Sequence, residues 1–342
     1  MVHPISIEEF IRKAKRLPVL DVRAPQEYAA GHIPRAHSFP IFDDTQRAVI
    51  GTAYKQQGHG PAVLLGLDLF GPKMSAFVKE ADKLAKKKEL LVHCWRGGMR
   101  SGAMAWLLGF SGFEVYLLEG GYKTYRHLMQ EQFSKPRKLL VLGGLTGSGK
   151  TDLLPYLQQR GQQMIDLEGL ASHKGSAFGS IGMAPQPSTE HFENLLGMEL
   201  LRMEEQQPLW LEDESITIGK VVMPKPLYDQ VQASPTIVLQ VPQKLRIQKL
   251  AQEYCRTDEA LLATAILKIK KRLGGLATKE ALSAIAEGDM EKMVEIALSY
   301  YDKAYSHELE KKQHLFLLEL QGIDPEENAA QVLQLAKQHN LL

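Results

Sequence analysis

Short apolar runs that end on charged or glycine residues punctuate the first third of the chain. Pro18-Val19-Leu20-Asp21-Val22, Glu89-Leu90-Leu91-Val92-His93 and Glu114-Val115-Tyr116-Leu117-Leu118, the last closed by Gly120-Gly121, read as buried strands. Helical spacing fills Met74 to Lys87 and Arg100 to Leu108. Strands alternating with helices predict a parallel sheet covered on both faces. Residues 122–137 are polar and basic, and Ser134-Lys135-Pro136-Arg137 reads as a connector. A second alternating pattern then begins with Lys138 to Leu142 and continues through Met164-Ile165-Asp166, Leu209 to Glu212 and Thr236 to Leu239. From about residue 243 onward the pattern is nearly all helix. The expected fold is therefore α/β in two domains, residues 1–134 and 135–342, with a helical tail on the second. There is no internal repeat and no low-complexity segment.

Composition narrows the classes without choosing among them. The 342 residues are 44% hydrophobic and 24% charged, which is ordinary for a globular chain of about two domains. A formal net charge of +1 gives no global attraction to nucleic acid, although a local basic patch is compatible with it. Two cysteines far apart in sequence exclude a disulfide scaffold and suit a reducing cytoplasm. The N-terminus lacks the basic and apolar regions of a signal peptide. No apolar run approaches the roughly 18 residues of a membrane helix, so no membrane association is expected.

One cysteine has a chemical setting. Cys94-Trp95-Arg96-Gly97-Gly98-Met99-Arg100 follows a strand and leads through Ser101 into a helix. Backbone N–H groups in such a turn converge, and the helix N-terminus adds positive potential. Both favour thiolate over thiol, as do Arg96 and Arg100. The same cradle suits an oxyanion such as phosphate, selenophosphate or thiosulfate. A buried structural cysteine is the alternative for any lone cysteine, and that is the reading for Cys255, on a helix without such neighbours.

The second domain opens on Gly144-Leu145-Thr146-Gly147-Ser148-Gly149-Lys150-Thr151, which fits G-x-x-x-x-G-K-[ST] between a strand and a helix. Backbone amides would wrap a phosphate, Lys150 would neutralise it and Thr151 would be placed for Mg²⁺. Asp166 and Glu168 follow the next strand, and Glu212 and Asp213 end the one after; either pair can orient Mg²⁺ or water, or be a solvated strand end. His173 to Gly179 is either a closing loop or a connector. Lys174 and the cluster Lys268, Lys270, Lys271 and Arg272 are candidate contacts for an RNA backbone, against the alternative of a solvated helix face. Tyr300, Tyr301 and Tyr305 can stack on bases or fill a core.

Around the cysteine the sequence resembles the rhodanese family: Leu20-Asp21-Val22-Arg23, Glu27-Tyr28 and Gly31-His32-Ile33-Pro34 with Ala36 follow its N-terminal signature. Rhodaneses carry sulfur or selenium on the loop cysteine. Arg100 closes the loop one position later than in many of them, a longer loop that also resembles dual-specificity phosphatases. Over nearly its whole length, with Gly51 to His59 and Asp166 to Ser176 included, the chain resembles the bacterial tRNA 2-selenouridine synthases. Lys174 stands where that resemblance leads one to expect arginine; the charge is kept but a bidentate fork is lost. The resemblance implies a rhodanese-like domain fused to a P-loop NTPase-like domain. It implies geranyl diphosphate and selenophosphate as co-substrates, and tRNAs for Lys, Glu and Gln bearing wobble 2-thiouridine as partners, with selenophosphate synthetase as a further one. It also implies an S-geranyl-2-thiouridine intermediate. A sulfurtransferase or phosphatase fused to a small-molecule kinase, and a nucleotide-sensing regulatory protein, are the alternatives of other classes.

Overall fold

The structure is a computed structural model that describes residues 1–309 and 312–342. Two compact units divide it. The first is Met1–Gln132 together with Glu193–Gly197; the second is Phe133–Phe192 with Met198–Leu342.

The first unit runs β1 (Val2–Ile5), α1 (Ile7–Ala14), β2 (Val19–Asp21), α2 (Pro25–Ala30), β3 (His37–Ser38) and α3 (Asp44–Gln57). It continues with α4 (His59–Phe70), a 3-10 turn (Gly71–Lys73), α5 (Met74–Leu84), β4 (Glu89–His93), α6 (Met99–Phe110), β5 (Glu114–Leu118) and α7 (Gly121–Ser134). Its five-stranded sheet has the order β1-β5-β4-β2-β3, parallel throughout. Leu90, Leu91 and Val92 of the central β4 are fully buried. Burial on both faces explains why the strand reads as a continuous apolar run, and each such side chain contributes about 1.5–3 kcal/mol.

The connector read at Ser134 to Arg137 is present over residues 135–138, but the polar stretch before it is a helix. It forms α7, because Tyr122, Tyr125, Met129 and Phe133 recur at helical spacing and are all buried. The expectation about apolar runs also needs correcting. Across α4, the turn and α5, His59–Leu84 contains an 18-residue window of mean hydropathy 1.2, long and apolar enough by composition to cross a membrane. Gly71-Pro72 breaks this run with the 3-10 turn, and its buried residues pack into the unit's core.

The second unit comprises β6 (Leu139–Gly144), α8 (Lys150–Gln159), β7 (Gln163–Met164), α9 (Leu167–Ala171), α10 (Thr189–Arg202), β8 (Leu209–Glu212), β9 (Thr217–Ile218), β10 (Val221–Val222), α11 (Lys225–Ala233) and β11 (Thr236–Gln240). The tail adds α12 (Gln243–Tyr254), α13 (Glu259–Leu273), α14 (Gly275–Glu287), α15 (Met290–Leu309), β12 (Leu315–Glu319) and α16 (Pro325–Gln338). The sheet order is β12-β11-β6-β8-β7, again parallel, with β9 and β10 a separate antiparallel pair. The tail is thus not all helix. β12 extends the sheet, and α16 buries Val332 and Ala336 in the core beneath β6 and α8. In α/β sheets, ligands bind beyond the carboxyl ends of strands where the strand order reverses. Cys94 follows β4 and the P-loop follows β6, each the central strand of its sheet.

Candidate functional sites

Cys94 is 3% exposed at the end of β4. The Ser101 hydroxyl, in the first turn of α6, donates to its Sγ at 3.1 Å. Burial alone would push the thiol up. The Ser101 side chain, the backbone N–H groups of Ser101 and Arg96, and the charge of Arg100 outweigh it and hold the pKa below the usual thiol value. The loop is tied to the start of α7: Tyr122 N–H donates to the Cys94 carbonyl at 2.8 Å, and Lys123 N–H to that of Trp95 at 2.9 Å. This apposition requires glycine on both sides. At Gly97, with φ +67°, a Cβ would lie 2.8 Å from the Leu118 carbonyl; at Gly121, with φ +63°, one would lie 2.5 Å from the Cys94 carbonyl.

A buried ionic group supports the loop. Arg23 Nη2 donates to Asp21 Oδ2 and to the Gly31 carbonyl, both at 2.6 Å, and its guanidinium stacks 3.7 Å from the Tyr122 ring centroid. His93 Nε2 lies 3.7 Å from the same Asp21 oxygen. Burial lowers the His93 pKa despite that carboxylate, so the ring is neutral at pH 7. The Asp21-Val22-Arg23 signature is therefore scaffold beneath the loop. Arg100, partly exposed, forks onto Glu27: Nη1–Oε2 is 2.5 Å and Nη2–Oε1 3.2 Å. Burial raises the Glu27 pKa, but hydrogen bonding and charge from Arg100 outweigh it and hold the carboxyl low. Glu27 thus fixes the guanidinium at the loop, a positioning role that the linear motif does not reveal. Trp95, Arg96, Gly98 and Met99 are solvent-exposed, although the Trp95 ring packs on Tyr122 with centroids 5.7 Å apart.

In the P-loop, Lys150 Nζ donates to the Gly144 carbonyl at 2.9 Å. Ser148 Oγ is buried without a hydrogen-bond partner, a donor left for a phosphate oxygen. Gly147, at φ +83°, lets the loop pass Leu250, whose Cδ1 would lie 2.9 Å from an added Cβ. Arg246 anchors the loop from α12: it donates to the Thr146 carbonyl at 3.2 Å and forks onto Asp302 at 2.9 and 2.8 Å. Thr151 Oγ1 lies 2.7 Å from Glu168 Oε2 and 2.5 Å from Glu212 Oε1. One hydroxyl proton cannot serve both carboxylates. Burial and the charges of Glu168 and Asp166 raise the Glu212 pKa to about 8. Burial raises the Glu168 pKa too, so the three side chains share their protons over short contacts, with the neutral form of Glu212 favoured. Glu212 Oε2 also accepts from the Leu167 N–H at 3.1 Å.

The other candidates separate. Asp166 caps α9, accepting from Gly169 N–H at 2.6 Å. Asp213 is paired to Lys312 at 2.6 Å and accepts from the Tyr305 hydroxyl at 2.9 Å, while Tyr305 itself accepts from Gly144 N–H at 2.7 Å. Asp213 is thus paired while it lines the cavity, and Glu214, one residue on, lines the same cavity. Burial and then Glu168 push the Glu214 pKa well up. A cavity of about 630 Å³ joins the P-loop to Lys174, Lys249, Lys268, Arg272 and the tyrosines 300, 301 and 305. Helical spacing splits the basic cluster, because Lys270 and Lys271 are not in the cavity wall. The loop from His173 is pinned: Lys174 pairs with Glu253 at 3.1 Å, and Ala177 N–H donates to the Tyr301 hydroxyl at 2.9 Å. Glu212 is fully buried and off the cavity wall, whereas Thr151 and Glu168 are on it and offer hard oxygen donors that fit Mg²⁺ alongside ligand phosphate oxygens. Among the described residues no group of three His, Cys, Asp or Glu side chains forms a metal cluster by itself.

The fold and the two loops define a rhodanese-like unit joined to a P-loop unit. Residues 6–128 match the rhodanese-like domain family, and residues 137–339 match the tRNA 2-selenouridine synthase AAA domain. A tRNA 2-selenouridine synthase from Shewanella frigidimarina is 36% identical over 332 residues, covering 86% of this chain and 89% of the relative. One from Hydrogenovibrio crunogenus is 35% identical over 336 residues, covering 87% and 91%. The N-terminal domain of a Clostridium difficile 630 protein is 39% identical across 36% of this chain and 95% of its own length, at a TM-score of 0.33. The chain belongs to the tRNA 2-selenouridine synthase family and is an enzyme of that family.

Proposed function

We propose that this enzyme acts on tRNA and converts wobble 2-thiouridine to 2-selenouridine in two steps. In the first, the base's thiocarbonyl sulfur attacks geranyl diphosphate; the C–O bond breaks, diphosphate leaves and the ring nitrogen gives up its proton. In the second, the selenium of selenophosphate bonds to C2, the C2–S bond breaks and geranylthiol departs. Water then cleaves the P–Se bond and releases phosphate. Selenium stays at the same oxidation level, so no oxidant is needed. A thioether on an activated pyrimidine leaves more readily than a thiocarbonyl, which gives the order its logic.

The observation that carries this reading is a pair of unlike anion cradles in one chain. One surrounds a thiol of lowered pKa; the other has Lys150, Thr151 and the P-loop amides but no cysteine. The P-loop holds the diphosphate and stabilises the charge that develops as it leaves. Thr151 and Glu168 would hold Mg²⁺, which when bound supplies further neutralisation of the diphosphate. Cys94 carries or positions the selenium; positioning is the role that requires no electron transfer. The substrates are the Lys, Glu and Gln tRNAs, selenophosphate synthetase is the supplier and partner, and the reaction is cytoplasmic. Nucleoside mass spectrometry of tRNA incubated with enzyme, geranyl diphosphate and selenophosphate, without ATP, tests the reading. The expected sequence is S-geranyl-2-thiouridine, then 2-selenouridine. Unaltered tRNA, with turnover of thiosulfate or an aryl phosphate, would overturn it.

A further inference from the structure

The first unit contains a cavity of about 690 Å³ between α3, α4 and the start of α6. Ile41, Phe42 and Phe70 form its floor, at 2%, 9% and 2% exposure. Tyr54, Leu67 and Met99 stand at its mouth, at 57%, 52% and 59%. Large apolar side chains left in water around a concave apolar surface mark a ligand site, and the volume is within the range of small-molecule sites.

Position and charge define the occupant. Met99 and Arg100 line the cavity and directly follow the Cys94 loop, and Ser101, the next residue, holds Cys94 Sγ at 3.1 Å. The cavity and the selenium centre therefore share a wall. The polar rim is basic, with Arg47, Lys55 and Arg100, and no carboxylate is among the lining residues. One carboxylate behind it, Glu27, serves both arginines, 2.5 Å from Arg100 and 3.7 Å from Arg47. A positive rim around an apolar hollow suits an apolar chain carried by a polyanion.

We propose that this cavity receives the prenyl chain of the S-geranylated tRNA base during selenium transfer and takes up the departing geranylthiol. The proposal rests on the two-step reading above. As the C2–Se bond forms and the C2–S bond breaks, the thiolate leaves with the electron pair and is protonated from solvent. Anchoring the chain here sets C2 against the selenium held at Cys94. It also explains why an enzyme would install an apolar group only to remove it: the group is a handle as well as a leaving group.

The test uses the full chain, selenophosphate and two anticodon stem-loop RNAs, one with S-geranyl- and one with S-methyl-2-thiouridine. Wild type is expected to favour the geranyl RNA by at least roughly tenfold in kcat/KM. Leu67→Asp, at an exposed position, and Val63→Trp, which fills the hollow, should collapse that preference through a raised KM for the geranyl RNA. Equal use of both RNAs by wild type would overturn the proposal. So would variants that lose geranylation from geranyl diphosphate by the same factor, which would assign the cavity to the donor. A wild-type enzyme that selenates neither RNA rejects the two-step reading itself, a different result from equal use of both.

Discussion

The Cys94 loop and the P-loop are built alike and tuned differently. Each follows the central strand of a five-stranded parallel sheet, turns through glycines at positive φ and runs into a helix. Each thereby converges backbone amides on an anion. The first surrounds a buried thiol, commits its arginine to a carboxylate and adjoins an apolar cavity. The second has no cysteine, a lysine folded onto its own loop, and a buried glutamic acid of raised pKa beside Thr151. The lesson is that anion binding is the shared scaffold. Chemistry is decided by what lies behind the amides: a nucleophile, or a cation with a place for a metal.

Removing the buried ion pair should hurt the first region most. Arg23→Met leaves Asp21 charged and unpaired at a fully buried position, a change that costs about 3–5 kcal/mol. Denaturant unfolding should show that loss; a near-neutral result would mean the pair does not hold the loop. In the second region, Lys150→Ala should lower the geranylation rate by on the order of 10²–10³-fold, as removal of a group stabilising developing charge does. Undiminished geranylation would remove the P-loop from that step.

A pH experiment sharpens the contrast. The Glu212 pKa is raised from 4.5 to about 8 by burial first and by Glu168 next. The folded state keeps a proton that the unfolded chain releases, so this stabilisation is complete below pH 4.5 and disappears as the pH rises through about 8. Glu212→Gln should flatten that decline and raise the thermal midpoint near pH 8.5 relative to wild type. A decline of unchanged slope would remove Glu212 as its source. The smallest effect is at the thiol. Ser101→Ala removes the hydroxyl bonded to Cys94, so alkylation of Cys94 should require higher pH than in wild type. An unchanged alkylation profile would show that backbone and Arg100 suffice.

How legible this was depended on whether the signal was local. The strands β2, β4, β6, β8 and β11 announce themselves because both faces are buried, and β5 does so as an apolar run closed by two glycines. β1 and β12 do not: they are sheet edges with mixed exposure, and β12 follows a long helical stretch. Buried tyrosines at helical spacing in α7 were masked by the basic residues between them. The P-loop and the Cys94 loop are contiguous and could be read directly. Glu27, Arg246 and Tyr305 reach their loops from distant elements, by contacts that no spacing rule contains. Of the acidic run that ends β8, Asp213 and Glu214 line the cavity and Glu212 is fully buried behind it, a division that appears only once the strand is placed in its sheet.

The central claim is that the two loops divide the reaction. It is tested most directly by giving pre-geranylated tRNA and selenophosphate to Lys150→Ala and Cys94→Ser enzymes and following 2-selenouridine by mass spectrometry. The account predicts selenation near the wild-type rate for Lys150→Ala and its loss for Cys94→Ser. Equal loss in both, or wild-type selenation by Cys94→Ser, would contradict it.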